Sequence, residues 1–441
     1  MADVSGAAPS VAPPAPAPQT RSFGSLLRSA EVDTRLLGMV AALIISWIIF
    51  DVGTGGQFLA PRNLWNLSVQ TASVAIMATG MVLIIVSRNI DLSVGSVLGV
   101  TGMFMALMQQ EWIPRTLNFG YDLWWIWIVT VIAGLALGAA IGLLQGSLVA
   151  YVGIPSFVVT LGGLLVWRAV TFMLAQGRTI SPLDATFTLL GGGPKGAVGD
   201  TVSWIIGIAV SVAIIYALIS NRRKRLRFGF PLRPVGAEVL IGAVGVIVVM
   251  GAVWVANSYM WPKNLAAQYA ADHGIPSPPG GLQIPTGIAN PVLIALGIAA
   301  LMTILATRRR FGRYVFAIGG NPDAAILSGI NTKRVIMLTF VTMGVLAAVS
   351  AVVATARLQS AVSGLGTGAE LSVIAAAVIG GTSFAGGIGT IPGAVLGALI
   401  IQSLVSGMQL LKFDNPSQDV AVGVVLVLAV GLDQVLRKRA S

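Results

Sequence analysis

The stretch AELSVIAAAVIGGTSFAGGIGTIPGAVLGALI, Ala369–Ile400, holds two apolar runs separated by a glycine-rich turn. The first run, 370–388, decides how the whole chain is threaded. Read by hydropathy it is one crossing of a bilayer. Its glycines, Gly380, Gly381, Gly386, Gly387 and Gly389, equally suit a re-entrant or broken helix lining a cavity. The charged residues elsewhere in the chain bear on this choice.

The 441 residues are 56% hydrophobic and 10% charged, with a mean hydropathy of +0.87. A soluble domain carries about 25% charge, so the solvent for most of this chain is lipid. With no cysteine there is no disulfide and no thiolate chemistry, and His273 is the single histidine. Residues 1–35 are rich in Ala, Pro and Ser and lack the apolar core of a signal peptide. They read as a disordered cytoplasmic tail. The net charge of +11 is spread in short clusters between apolar runs, the pattern of membrane topology rather than of nucleic-acid binding.

Apolar runs of roughly 17–25 residues, long enough to span, fall near 36–53, 64–87, 92–110, 123–150, 156–175, 202–220, 237–257, 288–307, 335–356, 370–388, 391–411 and 418–436. The expectation is an all-α polytopic membrane protein with about twelve transmembrane helices within 36–436. With a cytoplasmic N-terminus, 19 of the 27 Lys and Arg fall on the inside, in clusters such as Arg222–Arg227, Arg308–Arg313 and the basic tail 437–441. That agrees with the positive-inside rule. An odd number of crossings would place the tail outside, which favours a full crossing at 370–388.

Against this apolar background the loop 308–334 stands out. It begins with the basic run Ala306–Tyr314 and continues as IGGNPDAAILSGI, Ile318–Ile330. Asn321 suits an N-cap, Pro322 the first helical position, and Asp323 the positive helix end. Ala324 with Ser328, and Ala325 with Gly329, are small-residue pairs at i, i+4, so two faces of this short helix are nearly bare. Such an element at the membrane surface looks like a docking point for a cytoplasmic partner.

Other residues admit two readings each. Gly134, Gly138, Gly142 and Gly146 form a stripe that suits static helix packing, or a moving pivot. Arg168 lies in the middle of 156–175 and needs a partner, Asp91 or Glu370, or else contacts substrate. Asp91 caps the helix that follows it or lines a path. In the second span Asn66, Ser68, Gln70, Thr71 and Ser73 offer what a sugar path needs and equally what binds helices together. Asp91-Leu92-Ser93-Val94 is echoed by Glu370-Leu371-Ser372-Val373, the kind of match an internal repeat leaves. There is no phosphate-binding G-x-x-x-x-G-K-[ST] loop, and no catalytic or metal-ligating constellation. An intramembrane enzyme therefore has no machinery here. An ion-coupled secondary sugar transporter remains an alternative, although midplane titratable groups are few.

Four blocks carry a resemblance: NIDLSVGS (Asn89–Ser96), IPSFVVTLGGLLVWRA (Ile154–Ala169), FGRYVFAIGGNPDAAILSGIN (Phe311–Asn331) and Ala369–Ile400. Together they resemble the permease subunits of ribose/xylose-type monosaccharide ABC importers, with Asp323, Ala324, Ala325 and Gly329 matching the EAA-x-x-x-G signature except that Asp replaces Glu. The resemblance implies a ten-helix core, to which this chain adds about two crossings near 202–257. It further implies a bacterial inner-membrane homodimer, no cofactor, a separate cytoplasmic ABC ATPase that docks on Asn321–Gly329, and a periplasmic sugar-binding protein. The chain's length favours xylose.

Overall fold

The computed structural model describes residues 34–438 except 122, 277, 279 and 280. Apart from the helical backbone at 34–35 and 437–438, the N-terminal tail 1–35 and the basic tail 437–441 therefore lie outside the described residues. Each of the twelve apolar runs contains helix, and the fold is the expected all-α polytopic membrane protein. We label its helices α1 (Thr34–Gly53), α2 (Pro61–Val86), α3 (Val94–Leu107, continued by a wider turn over Met108–Thr116), α4 (Ile126–Ser147, continued to Val152), α5 (Ser156–Ala175), α6 (Gly199–Arg227), α7 (Val235–Ser258) and α8 (Lys263–Asp272). After these come α9 (Asn290–Arg308), α10 (Arg310–Gly320), α11 (Pro322–Leu327), α12 (Thr332–Leu358), α13 (Ala369–Ile379), α14 (Ile391–Leu410) and α15 (Asn415–Lys438). Among the described residues nine helices are long and apolar enough to cross a bilayer, and Ala369–Ile379 and Asn415–Gly431 are shorter apolar helices beside them.

One helix organises the rest. The span of α2 is 89% buried, whereas those of α5 and α7 are 11% buried. A helix apolar on every side is a core element, and α2 is surrounded by α9, α12, α13 and α14. Helices α1, α5, α6 and α7 are peripheral and turn large apolar side chains outward, as lipid or a protein neighbour requires. Helices α6 and α7 pack on each other and reach the body through α2.

The most extensive helix pair is α4 on α12, and glycine explains it. A Cβ at Gly138 would overlap the Gly344 carbonyl oxygen, at Gly142 that of Phe340, and at Gly146 that of Met337. Gly134 meets Met105 of α3 instead. In a bilayer, helices gain little from excluding water, so close backbone approach supplies the attraction.

The crossing expected over 370–388 is helical for only part of its length. Helix α13 has 11 residues, roughly 16 Å at 1.5 Å per residue, about half of a ~30 Å hydrocarbon layer. Before it the chain runs irregularly from Gln359 to Gly368, with Gly366 (φ +78°) and Gly368 (φ +76°) in the left-handed region. Reciprocal backbone hydrogen bonds tie Ala361 to Ile180 (2.9 and 3.0 Å) at the start of this stretch. The irregular stretch lies along α3, where Gly95, Gly99 and Gly102 leave no side chain in the way: a Cβ at any of them would overlap Gly366, Leu365 or the Glu370 carboxylate. Helix breaks are tolerated at membrane depth where protein covers them or where they line a water-filled cavity, and here α3 covers this one. After Ile379 the chain turns through Gly380–Thr390, and Thr390 Oγ1 accepts from Gly393 N (3.2 Å) to start α14.

Gly142→Val inserts a branched side chain into the α4–α12 seam. Overpacking of this kind costs about 1–3 kcal/mol or more, so the purified variant unfolds at a lower temperature and in lower yield. Gly162→Ala, where a Cβ meets nothing within 4 Å, leaves both unchanged.

Candidate functional site

Two regions of the structure can do work: a polar cluster inside the helical body and a short helix at its edge. The cluster is built on the junctions that precede α3 and α13. After α2 ends, Arg88 takes a positive φ (63°) and the chain runs non-helically to Ser93. Asp91 Oδ1 accepts from Ser93 N (2.9 Å) and Ser93 Oγ (2.6 Å). This is an Asx turn that precedes the helix rather than a cap on its end. Ser93 Oγ also lies 3.0 Å from the Gln145 amide of α4. Ser93 has one hydroxyl proton, held by Asp91. In either orientation of the Gln145 amide, one of its two polar atoms lacks a partner.

Arg168 projects from the middle of α5, and its Nη2 donates to Glu370 Oε1 at 3.4 Å. The Arg168 side chain is 39% exposed and that of Glu370 is 10% exposed. Glu370 sits in the first turn of α13, so the helix N-terminus and the guanidinium both favour its negative charge. Its second oxygen, Oε2, has no hydrogen-bond partner. Trp167 Nε1, buried on α5, has none either. Each stranded polar atom costs about 1–3 kcal/mol; those of Gln145, Trp167 and Glu370 lie on α4, α5 and α13 and are sealed from solvent. The two sequence echoes meet here: Gly95, just beyond the Asp91 motif, lies against the Glu370 carboxylate.

Of the residues read from the sequence, the structure thus brings Arg168 and Glu370 together and places Asp91 on the neighbouring junction. Asn66 and Gln70 are half-buried on α2, a different helix. The bonds around them run to α14: Gln402 Nε2 donates to the Gln70 carbonyl (3.3 Å) and Ser406 Oγ to Asn63 Oδ1 (3.2 Å). Ser68 and Thr71 bond their own helix, and Ser73 meets Ser350 of α12 at 2.6 Å. Sequence reasoning missed Gln145, Trp167 and the Gly95–Gly99–Gly102 cradle. Gln145 is the lone amide side chain in α4, and Trp167 adjoins Arg168; those were the available signals.

The edge helix is α11. Asn321 Oδ1 accepts from Ala324 N (3.0 Å), Pro322 occupies the first turn and Asp323 follows. Gly329 ends the turn at φ +77° with open space around it. Ala324 and Ser328 are exposed, while Ala325 is buried against the body. The outward surface is therefore less bare than the small residues imply: Leu327 is 89% exposed and Ile326 is also exposed. Two exposed branched apolar side chains on one helical turn form a ready contact for another protein. The element feeding α11 is locked to the body. Arg88 donates from Nε to Gly319 O (2.8 Å) and from Nη2 to Gly320 O (3.0 Å). Gly319 lies against the Val86 carbonyl, which also accepts from Gly387 N (3.0 Å).

Removing one member of the Arg168–Glu370 pair leaves the other charge stranded. Arg168→Ala is expected to lower the yield of folded protein severalfold, and adding Glu370→Gln to restore most of it. Equal yields from the single and double variants would show that the pair does not hold α5 to α13.

The description of a branched-chain amino acid transport system permease component fits residues 63–430. The xylose transport system permease protein XylH of Haemophilus influenzae is 35% identical, covering 94% of this chain and 100% of that protein. The ribose import permease protein RbsC of Escherichia coli K12 is 31% identical over 90% of this chain and 92% of that protein. The D-allose transport system permease protein AlsC of the same strain is 27% identical over 90% and 91%. No solved structure matches the chain. These relatives bear out the resemblance carried by the four sequence blocks, and they are transport permeases rather than enzymes. The chain belongs to the family of branched-chain amino acid transport system permease components, as a multi-pass membrane protein of its sugar-permease-like members.

Proposed function

We propose that this chain is the membrane-spanning subunit of an ABC importer for a monosaccharide, xylose before other sugars, in a bacterial inner membrane. Full-length similarity to a xylose permease, joined to the exposed Ile326–Leu327 surface of α11, carries this reading. In it, α11 is the coupling helix, the termini are cytoplasmic, and a separate ABC ATPase grips Asn321–Gly329. A periplasmic sugar-binding protein delivers the sugar on the other side.

The translocation path in this reading runs past Arg168 and Glu370. A midspan guanidinium that is 39% exposed on a helix 11% buried cannot face acyl chains at acceptable cost. The α5 face then meets a second copy of the chain or the water-filled path between two copies. Arg168, whose side chain is 39% exposed, is the group of this cluster that a sugar hydroxyl can reach. Arg88 relays motion: its hydrogen bonds to Gly319 and Gly320 join the base of α11 to the junction carrying Asp91. Asn66 and Gln70 serve helix association, and the α4 glycine stripe serves packing.

Reconstitution in liposomes with internal ATP tests the reading. This chain alone takes up no xylose; with its ATPase inside and binding protein outside, it does. Uptake by the chain alone under a proton or sodium gradient would make it an ion-coupled carrier instead. Leu327→Glu inserts normally but retains at least thirtyfold less ATPase on co-purification, the effect of losing an interface anchor worth about 2 kcal/mol. Normal retention by that variant removes α11 from the coupling surface.

A further inference from the structure

The N-terminus of α6, helix α8 and the segment 284–286 frame a cleft of about 410 Å³, within the roughly 300–1,000 Å³ of small-molecule sites. Its walls are residues 194–200, Trp261 with the side chains of α8, and residues 284–286. Backbone hydrogen bonds hold these walls in place without a ligand. Trp261 N donates to Ile284 O (2.8 Å) and Thr286 N to Tyr259 O (2.9 Å). Val198 N donates to Ile288 O (3.0 Å) and Asn290 N to Gly196 O (2.9 Å). Helix α8 is seated through Ala266 and Ala270, both buried. The cleft is also tied to the core helix: Trp65 Nε1 of α2 donates to Gly287 O at 2.8 Å.

The cleft is aromatic on its walls and mixed in charge at its rim. Trp261 and Tyr269 are half-buried and meet edge to face, their ring centroids 5.6 Å apart at 71°. Asp200, Asp272, Lys195 and Gln268 are exposed beside them. Among the described residues the ion pairs are Arg168–Glu370, Arg178–Glu111 and Arg222–Glu238, so neither carboxylate of the cleft is paired, and neither is the Lys195 ammonium. Asp272 stands against local preference. It ends α8, where the free carbonyls disfavour an anion, and no ion pair compensates it. His273 follows, stacked on Tyr269 (4.0 Å, 27°), with Nδ1 donating to the Tyr269 carbonyl (2.9 Å). A carbonyl can only accept, so in the neutral ring Nε2 is an acceptor.

Donors and acceptors of both signs, set around aromatic rings, suit a neutral ligand rich in hydroxyls better than an ion. Lys195 opposes a cation, and the two carboxylates oppose an anion. A sugar ring offers an apolar C–H face to an indole and its hydroxyls to a polar rim. We propose that the α6–α8 cleft is a second sugar site, in which one neutral monosaccharide lies against Trp261 with its hydroxyls among Asp200, Asp272, Gln268 and Lys195. The site shares no residue with the Arg168–Glu370 cluster. With its rim exposed, it holds sugar weakly and exchanges it rapidly. That the cleft faces the side where sugar arrives rests on the proposed importer reading; that it binds sugar does not.

The test is saturation-transfer difference NMR of the purified full chain in lipid nanodiscs, titrated with xylose and, separately, with choline and gluconate. Xylose gives saturable transfer, and the cation and the anion each bind about tenfold more weakly, the scale of one like-charge contact. Trp261→Ala and Asp272→Asn each weaken xylose about tenfold, the scale of one aromatic contact or one charge-assisted hydrogen bond. Trp261→Phe keeps most of the binding, and Lys263→Gln, on α8 but outside the cleft, leaves it unchanged. Gln268→Ala, at an exposed position, provides a further probe should Trp261→Ala fail to fold. No transfer to xylose, undiminished binding in the cleft variants, an equal loss in Lys263→Gln, or tighter binding of choline or gluconate than of xylose would each overturn the site. Import is read separately, in the liposome assay with ATPase and binding protein. A chain that imports xylose without binding it in the cleft loses this site and keeps the importer reading. A chain that binds xylose at Trp261 and never imports it keeps the site and loses that reading.

Discussion

Contact between backbones, admitted by glycine, is the constraint on which this molecule depends. Lipid tails are as apolar as leucine, so burying more leucine against leucine gains little inside a bilayer. What brings α4 onto α12 is the absence of side chains at Gly138, Gly142 and Gly146, matched by Gly344 across the seam. The same device seats the irregular chain before α13 against Gly95, Gly99 and Gly102 of α3. Without that cradle the bared backbone of Gln359–Gly368 would have no place at membrane depth. The polar cluster exists because the cradle exists: it puts Glu370 at a helix N-terminus facing Arg168 of α5.

How much of this was readable beforehand follows from which signals are local. The apolar runs, the capped turn at Asn321–Gly329 and the stripe on α4 are patterns within one segment, and each has its structural counterpart. The depth of Arg168 calls for an ion pair with Asp91 or Glu370 or for contact with substrate, and only the fold sets Glu370 beside it. The break at Ile379 was harder. Hydropathy averages over a window, and a window containing Ala, Val, Ile and Gly scores as a span whether or not its backbone stays helical. The glycines left both readings open, and the turn's neighbours come from distant segments: Gly393 against Gly380, and Val86, Arg88 and Gly319 against Gly386 and Gly387.

The edge helix shows a different limit. Its small residues drew attention to Ala324, Ala325, Ser328 and Gly329, yet the most exposed side chain is Leu327. Small residues govern how a helix sits on its own protein, as Ala325 does here. Large ones that the fold leaves uncovered show where another protein would press. Composition could not separate those roles, since Ile326 and Leu327 look like ordinary core residues until the register of the turn is known.

The α6–α7 hairpin also bears on how the protein is made. Its two helices bury their common seam, and Arg222 and Glu238 neutralise each other within it. A hairpin that pairs the charges within its seam can leave an insertion channel as a pair, before α9 and everything after it has been synthesised. It attaches to the body through α2, already in place, and through the segment leading into α9, where Ile288 N donates to Ser203 Oγ and Gly287 N to the Ala256 carbonyl. The peripheral pair can therefore mature once the segment leading into α9 has been made, while the central glycine seams must wait for α12.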